Sequence, residues 1–136
     1  VQDKIVRISF LDGRGDMPKR SGVNWGQRLG REPNQAYLSL KKDSRQQGFL
    51  PPRAMRFTLI TDDDQTFDCV RAQDGDKAIE TTDDNSLLGI YLRERWGVER
   101  GALVTLGHLN RYGRPDYTLI KLDDETFMLD LSVSQS

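Results

Sequence analysis

Residues 57–70 read FTLITDDDQTFDCV. Two runs rich in β-branched and aromatic residues, 57–61 and 66–70, flank Asp62, Asp63, Asp64 and Gln65, the pattern of two antiparallel strands joined by a charged turn. The acidic triplet lacks the glycine and the terminal glutamate of an EF-hand, so it reads as a solvated hairpin turn and not as a calcium loop. Cys69, alternating with Phe67 and Asp68, reads as a small core residue, since no neighbour in sequence would lower its pKa. It is the only cysteine, which excludes an internal disulfide and a thiolate zinc cluster and fits a reducing compartment.

C-terminal to this hairpin, 71–85 (RAQDGDKAIETTDDN) is polar and glycine-broken, with Ala78 and Ile79 as a small apolar insert, and reads as a polar arm. Residues 86–96 (SLLGIYLRERW) place Leu88, Tyr91, Leu92 and Trp96 at helical spacing, with Asn85 or Ser86 suited to cap the start and Gly97 to end it. Strands are predicted at 102–106, 117–122 and 126–129, the last two joined through Asp123, Asp124 and Glu125. On the N-terminal side, 4–11 (KIVRISFL) and 36–40 (AYLSL) alternate as strands. Between them, Gly13, Gly15, Pro18, Gly22, Gly26, Gly30 and Pro33 break any regular element and predict a long, functional loop. Several short strands around one or two short helices imply a mainly β protein, a barrel or partly open barrel whose rim loops are free to specialise.

A chain of 136 residues fits a single domain with a real core. It has no apolar run approaching the roughly 20 residues that span a bilayer and no charged-then-apolar leader pattern. The expectation is a cytoplasmic protein without a membrane partner. Opening at Val1 directly into a strand-like stretch, it is expected to be a piece of a longer parent. The net charge of −1 hides a division: residues 1–56 hold 12 of the 20 Lys and Arg but only 5 of the 21 Asp and Glu, a local +7 against −8 for the remainder. The basic charge centres on Arg14, Lys19, Arg20, Arg28 and Arg31, in a stretch that reads as a mobile basic arm.

Catalytic chemistry is thinly supplied. His108, the only histidine, sits in GHLNRYG and reads as a turn or surface residue. It is followed by Leu109 and Asn110, so the H-x-K of phospholipase-D-type nucleases is absent. Magnesium-dependent nucleases pair carboxylates with a D/E-x-K lysine, whereas Lys121 follows Leu119 and Ile120, well beyond Asp116. No metal or cofactor is expected. The two arms are better stocked. The first carries Asn24, Gln27, Arg28, Arg31, Glu32, Asn34 and Gln35, and the second Arg71, Gln73, Asp74, Lys77, Thr81, Asp84 and Asn85. Arginine can bridge guanine O6 and N7, Asn or Gln can bridge adenine N6 and N7, and a carboxylate can accept from cytosine N4. The alternative is that these groups terminate turns and cap the helix, a role that suits Asp84 or Ser86.

The order of these features, a basic arm running into NQAYLSL, paired strands, a polar arm, a helix and then Gly101-Ala102-Leu103-Val104, resembles the B3 DNA-binding pseudobarrel. In detail SGVNWGQR, REPNQAY, RAQDGDKAIETTDDNSLLG and YGRPD are similar to the recognition domains of BfiI-like and NgoFVII-family restriction endonucleases. The resemblance implies an open seven-stranded barrel, spanning 1–136 as one domain, that grips double-stranded DNA in the major groove between two arms. It implies a C-terminal position in a bacterial type II restriction enzyme, attached to a phospholipase-D-type nuclease domain of the same parent chain. By position Arg28, Arg31, Glu32, Asn34, Gln35 and Tyr37 match the N-arm, with Arg14 and Trp25 added, and Gln73, Asp74, Lys77, Thr81, Asp84 and Asn85 match the C-arm. The second arm is more acidic than in plant B3 domains, which favours contacts to cytosine amino groups and a G·C-rich site. Two competing readings stand beside this one: a fragment with its own metal-dependent nuclease activity, and a small barrel whose rim binds a protein.

Overall fold

The computed structural model describes residues 4–40, 49–72 and 77–133. Seven strands form one mixed sheet: β1 (Ile5–Ser9), β2 (Leu38–Ser39), β3 (Phe57–Thr61), β4 (Thr66–Ala72), β5 (Ala78–Thr81), β6 (Asp116–Asp123) and β7 (Thr126–Asp130). Their order in the sheet is β1-β6-β7-β3-β4-β5-β2, antiparallel throughout except for the parallel pair β3–β7. Two α-helices, α1 (Leu87–Trp96) and α2 (Leu106–Tyr112), lie between β5 and β6, and a 3-10 helix occupies Gly22–Gln27.

The period of two explains which face turns inward. Phe57 and Leu59 on β3, Tyr117 and Leu119 on β6, and Phe127 and Leu129 on β7 are buried, and the register sets Leu59 beside Phe127 and Leu119 beside Leu129. Leu88, Leu92 and Trp96 of α1 and Leu109 of α2 pack onto the same core. The sheet curls into an open half-barrel, and the Tyr117 hydroxyl crosses from β6 to donate to the Ser39 carbonyl of β2 at 2.9 Å. Cys69 is fully buried, the core residue its alternation predicts, and burial pushes its thiol up to about 12.

The hairpin 57–70, helix α1 and the pair β6–β7 form where the sequence places them. Four expectations need correction. The predicted strand 102–106 is an extended connection that leads into α2. Thr105 accepts from the His108 backbone N–H, and His108 Nδ1 accepts from Thr105 N at 2.9 Å, a reciprocal capping box that nucleates a helix at this point. The 12–33 stretch is no mobile loop along its whole length, because Val23, Asn24, Trp25 and Gly26 of its 3-10 helix are buried. Within the 71–85 arm, Arg71 and Ala72 at the end of β4 pair antiparallel with Ile79 and Ala78 of β5, so its described ends are strand and not loop. Finally, Ser86 stands at the N-cap of α1 as expected, but its side chain makes no capping bond; instead Asp84, the other residue suited to this role, accepts through Oδ1 from Ser86 N at 2.9 Å and from Ser86 Oγ at 2.6 Å.

The acidic turn after β3 is also more than a solvated loop. Asp62 forms a two-pronged pair with Arg95 of α1, both contacts 2.6 Å, and accepts from Leu131 N at 3.0 Å. Burial alone would raise the Asp62 carboxyl, but the Arg95 guanidinium and the Leu131 N–H together hold it below its ordinary value. Asp63 accepts from the Tyr91 hydroxyl at 2.6 Å. These contacts bind the β3–β4 turn to the outer side of α1.

Candidate nucleic-acid interface

The segment 18–37 and the β4–β5 hairpin meet side by side. Ladder contacts Leu38–Ile79 and Ser39–Ala78 join β2 to β5, and Leu40 N donates to Lys77 O at 2.7 Å while Ala36 N donates to Asn85 O at 3.1 Å. At the junction Trp25, Tyr37 and Ala78 form a small apolar cluster separate from the main core. The two rings meet edge to face with centroids 5.5 Å apart.

Helix α1 supports this junction from behind. A Cβ on Gly89 would lie 1.8 Å from the Asn34 carbonyl oxygen, so only glycine lets the helix approach that closely. One turn on, Arg93 is fully buried and donates to the carbonyls of Ala102, Gly89 and Val23 at 2.9, 3.2 and 3.4 Å. Burial lowers its pKa, partly offset by the nearby Glu32 carboxylate. A guanidinium satisfied by three carbonyls from three segments fixes the 3-10 helix, α1 and the 99–105 connection as one unit.

The candidate residues divide by where their polar atoms go. Asn24 is fully buried: its Nδ2 donates to Pro18 O at 2.7 Å and Val104 O at 2.8 Å, and its Oδ1 accepts from Val104 N at 2.9 Å. Asn34 is likewise buried, with its amide on Glu32 Oε1 at 3.0 Å and its oxygen taking the Gly101 N–H at 2.6 Å. Gln27 donates to Pro33 O and Gly101 O, and Glu32 also accepts from Asn34 N. Thr81 is buried and donates to Asp84 O at 2.6 Å, and Trp25 and Tyr37 lie in the small cluster. These seven, with Asp84 at the start of α1, turn at least one polar or apolar function inward and build the frame.

The others face outward. Arg28 is exposed, and its Nε donates to Arg20 O at 2.8 Å, which leaves the guanidinium tip clear. Arg31 is exposed, its guanidinium carbon 3.8 Å from the Trp25 ring centroid and its Nη1 on Gln35 Oε1 at 2.9 Å. Stacking fixes the plane of the fork and leaves its remaining donors free of carboxylates among the described residues. Gln35 and Asn85 are half-buried, and Lys77 is exposed. Arg28, Arg31 and Lys77 make no ion pair among the described residues. Gln35 and Asn85 border a cleft of about 650 Å³, which also takes in Arg56, a basic residue the sequence reading passed over. Arg56 pairs with Asp68 at 2.9 Å, and its only signal in sequence is its position immediately before β3. Arg14 stands apart in the Asp12–Asp16 turn. Gln73 and Asp74 lie outside the described residues. A larger depression of about 700 Å³, between 12–20 and 103–106, is lined by Lys19 and Arg20 of the basic stretch but by none of the residues matched to the two arms.

Among the described residues no group of three or more His, Cys, Asp or Glu could hold a metal ion, and no helix is long and apolar enough to cross a membrane. The open seven-stranded half-barrel with this junction on its rim defines a B3-like DNA-binding domain. Residues 1–123 match the model of the NgoFVII C-terminal B3-like DNA-binding domain. The chain belongs to that family, the DNA-binding part of restriction endonucleases. No curated protein matches it.

Proposed function

We propose that this domain reads a short duplex sequence in the major groove, with 18–37 as one arm and the β4–β5 hairpin as the other. The observation that carries the reading is the division just described. Arg28, Arg31, Gln35, Lys77 and Asn85 offer donors and acceptors outward, on a frame fixed by Asn24, Asn34 and Arg93. A major groove about 12 Å wide admits a two-stranded ribbon, and the β4–β5 hairpin is such a ribbon. Arg28 and Lys77 hold phosphates and set register, whereas Arg31, Gln35 and Asn85, joined by Gln73 and Asp74 of the second arm, read base edges. Asn24, Gln27, Glu32, Asn34, Thr81 and Asp84 act through the frame, and Trp25 and Tyr37 orient Arg31. Arg14 adds charge at the margin.

The carboxylates of the second arm favour cytosine amino groups and a G·C-rich target. The parent is a bacterial restriction enzyme whose cutting chemistry resides in a phospholipase-D-type nuclease domain of the same chain, and the domain itself takes no metal. Selection from a randomised duplex library, at moderate salt and without metal, tests this. Convergence on one short G·C-rich motif is expected. An A·T-rich motif would remove the base assignment, and no enrichment from folded protein would favour the protein-binding reading. Plasmid incubated with the domain and magnesium is expected to stay intact, and cleavage would favour the nuclease reading.

A further inference from the structure

Between the two outward arginines of the first arm stands a leucine that folding does not explain. Leu29 is 104% exposed, the most exposed large apolar side chain among the described residues. Its conformation is nonetheless fixed. Arg31 N donates to Arg28 O at 3.2 Å, closing a tight turn, and Gly30, its third residue, has φ +86°, the left-handed geometry that a type II turn reserves for glycine. Both flanking arginines are tied down, Arg28 to the Arg20 carbonyl and Arg31 onto Trp25. The turn therefore presents an apolar side chain at a defined place between two cations, where a polar residue would be the ordinary choice for solubility.

Resting on the recognition reading above, we infer that Leu29 is a specificity residue that packs on the 5-methyl group of a pyrimidine in the major groove. Arg28 and Arg31 would bring the turn against the polyanion, and the groove floor there offers one kind of apolar partner, the methyl at pyrimidine C5. A lone leucine has no hydrogen bond to offer, so it distinguishes bases only by that methyl group. Thymine carries it, and so does a cytosine methylated at C5.

The test uses the duplex selected by the wild-type domain, resynthesised with each thymine in turn replaced by deoxyuridine and each cytosine in turn by 5-methylcytosine. At one position, removing the methyl should weaken wild-type binding about fourfold, or adding it should tighten binding by a similar factor, the equivalent of one buried methyl group. Leu29→Ser should lose that response and Leu29→Met should keep it. Full exposure of Leu29 leaves folding unaffected by either change. If wild type binds its duplex and every methyl response persists in Leu29→Ser, this inference falls while the recognition reading stands. If wild type binds no duplex, both fall together.

Discussion

Arginines at two ends of this small barrel have opposite fates. On the far side of α1, Arg95 is clamped by both oxygens of Asp62 and by the hydroxyls of Tyr91 and Tyr112, and Arg114 lies between Asp116 and Asp130 with its last amino group on the Thr118 hydroxyl. On the 18–37 segment, Arg28 and Arg31 meet carbonyl, amide and aromatic partners but, among the described residues, no carboxylate. A guanidinium neutralised by acid stabilises the fold and projects little field, whereas one held in place by neutral groups keeps its charge for a partner. Local potential therefore follows pairing more closely than composition, which is how a chain of net charge −1 can bind a polyanion.

Replacing Arg95 with alanine should produce the largest change, since it leaves Asp62 without its partner. We expect a loss of about 3 kcal/mol in unfolding free energy, read by denaturant titration, with DNA affinity of the folded fraction unchanged. A large affinity loss with intact stability would erase the contrast. Arg31→Ala is the mirror case: about 1–3 kcal/mol of binding free energy lost and little stability lost, since only a stacking contact and one amide bond disappear.

The same contrast can be sharpened with pH. Because the folded Asp62 pKa lies below its ordinary 3.8, its stabilisation is complete well above that value and is lost as pH falls through the folded pKa. The stability gap between wild type and Asp62→Asn should be constant near neutrality and close in acid. A gap that widened on acidification would mean the carboxylate is not held ionised by Arg95. Gln35→Ala should reduce the ratio of cognate to random DNA binding several-fold while changing random binding little, measured by competition at fixed salt. The smallest effect belongs to Arg100→Ala. Its pair with Glu94 is mostly exposed, so stability should move by no more than about 0.5 kcal/mol and DNA binding not at all.

Much of the fold was legible because its elements follow a single period. The 57–70 hairpin and β6–β7 alternate, and α1 buries Leu88, Leu92 and Trp96 at helical spacing with Gly97 as its stop. Helix α2 escaped because Val104, buried in an extended stretch, makes 102–106 look like a strand, while the Thr105–His108 capping box that overrides it uses an unusual residue at its third position. The site was legible as a neighbourhood but not as a set of roles. Asn24 and Gln35 look alike in sequence, two amides in a basic stretch, and only their partners separate them. Asn24 is bonded to a chain segment 80 residues away, a contact no local pattern encodes. The same holds for Asp62, whose partner Arg95 is 33 residues away.

The central claim, that the junction of 18–37 with β5 meets DNA and the Arg95 side does not, is tested most directly by titrating the isotope-labelled domain with its selected duplex and following backbone amide shifts. The largest changes are expected at 28–37 and 77–85, with residues 62–64, 91–95 and 112–116 nearly unmoved. Strong shifts around Arg95 or Arg114 with a silent 28–37 segment would contradict it.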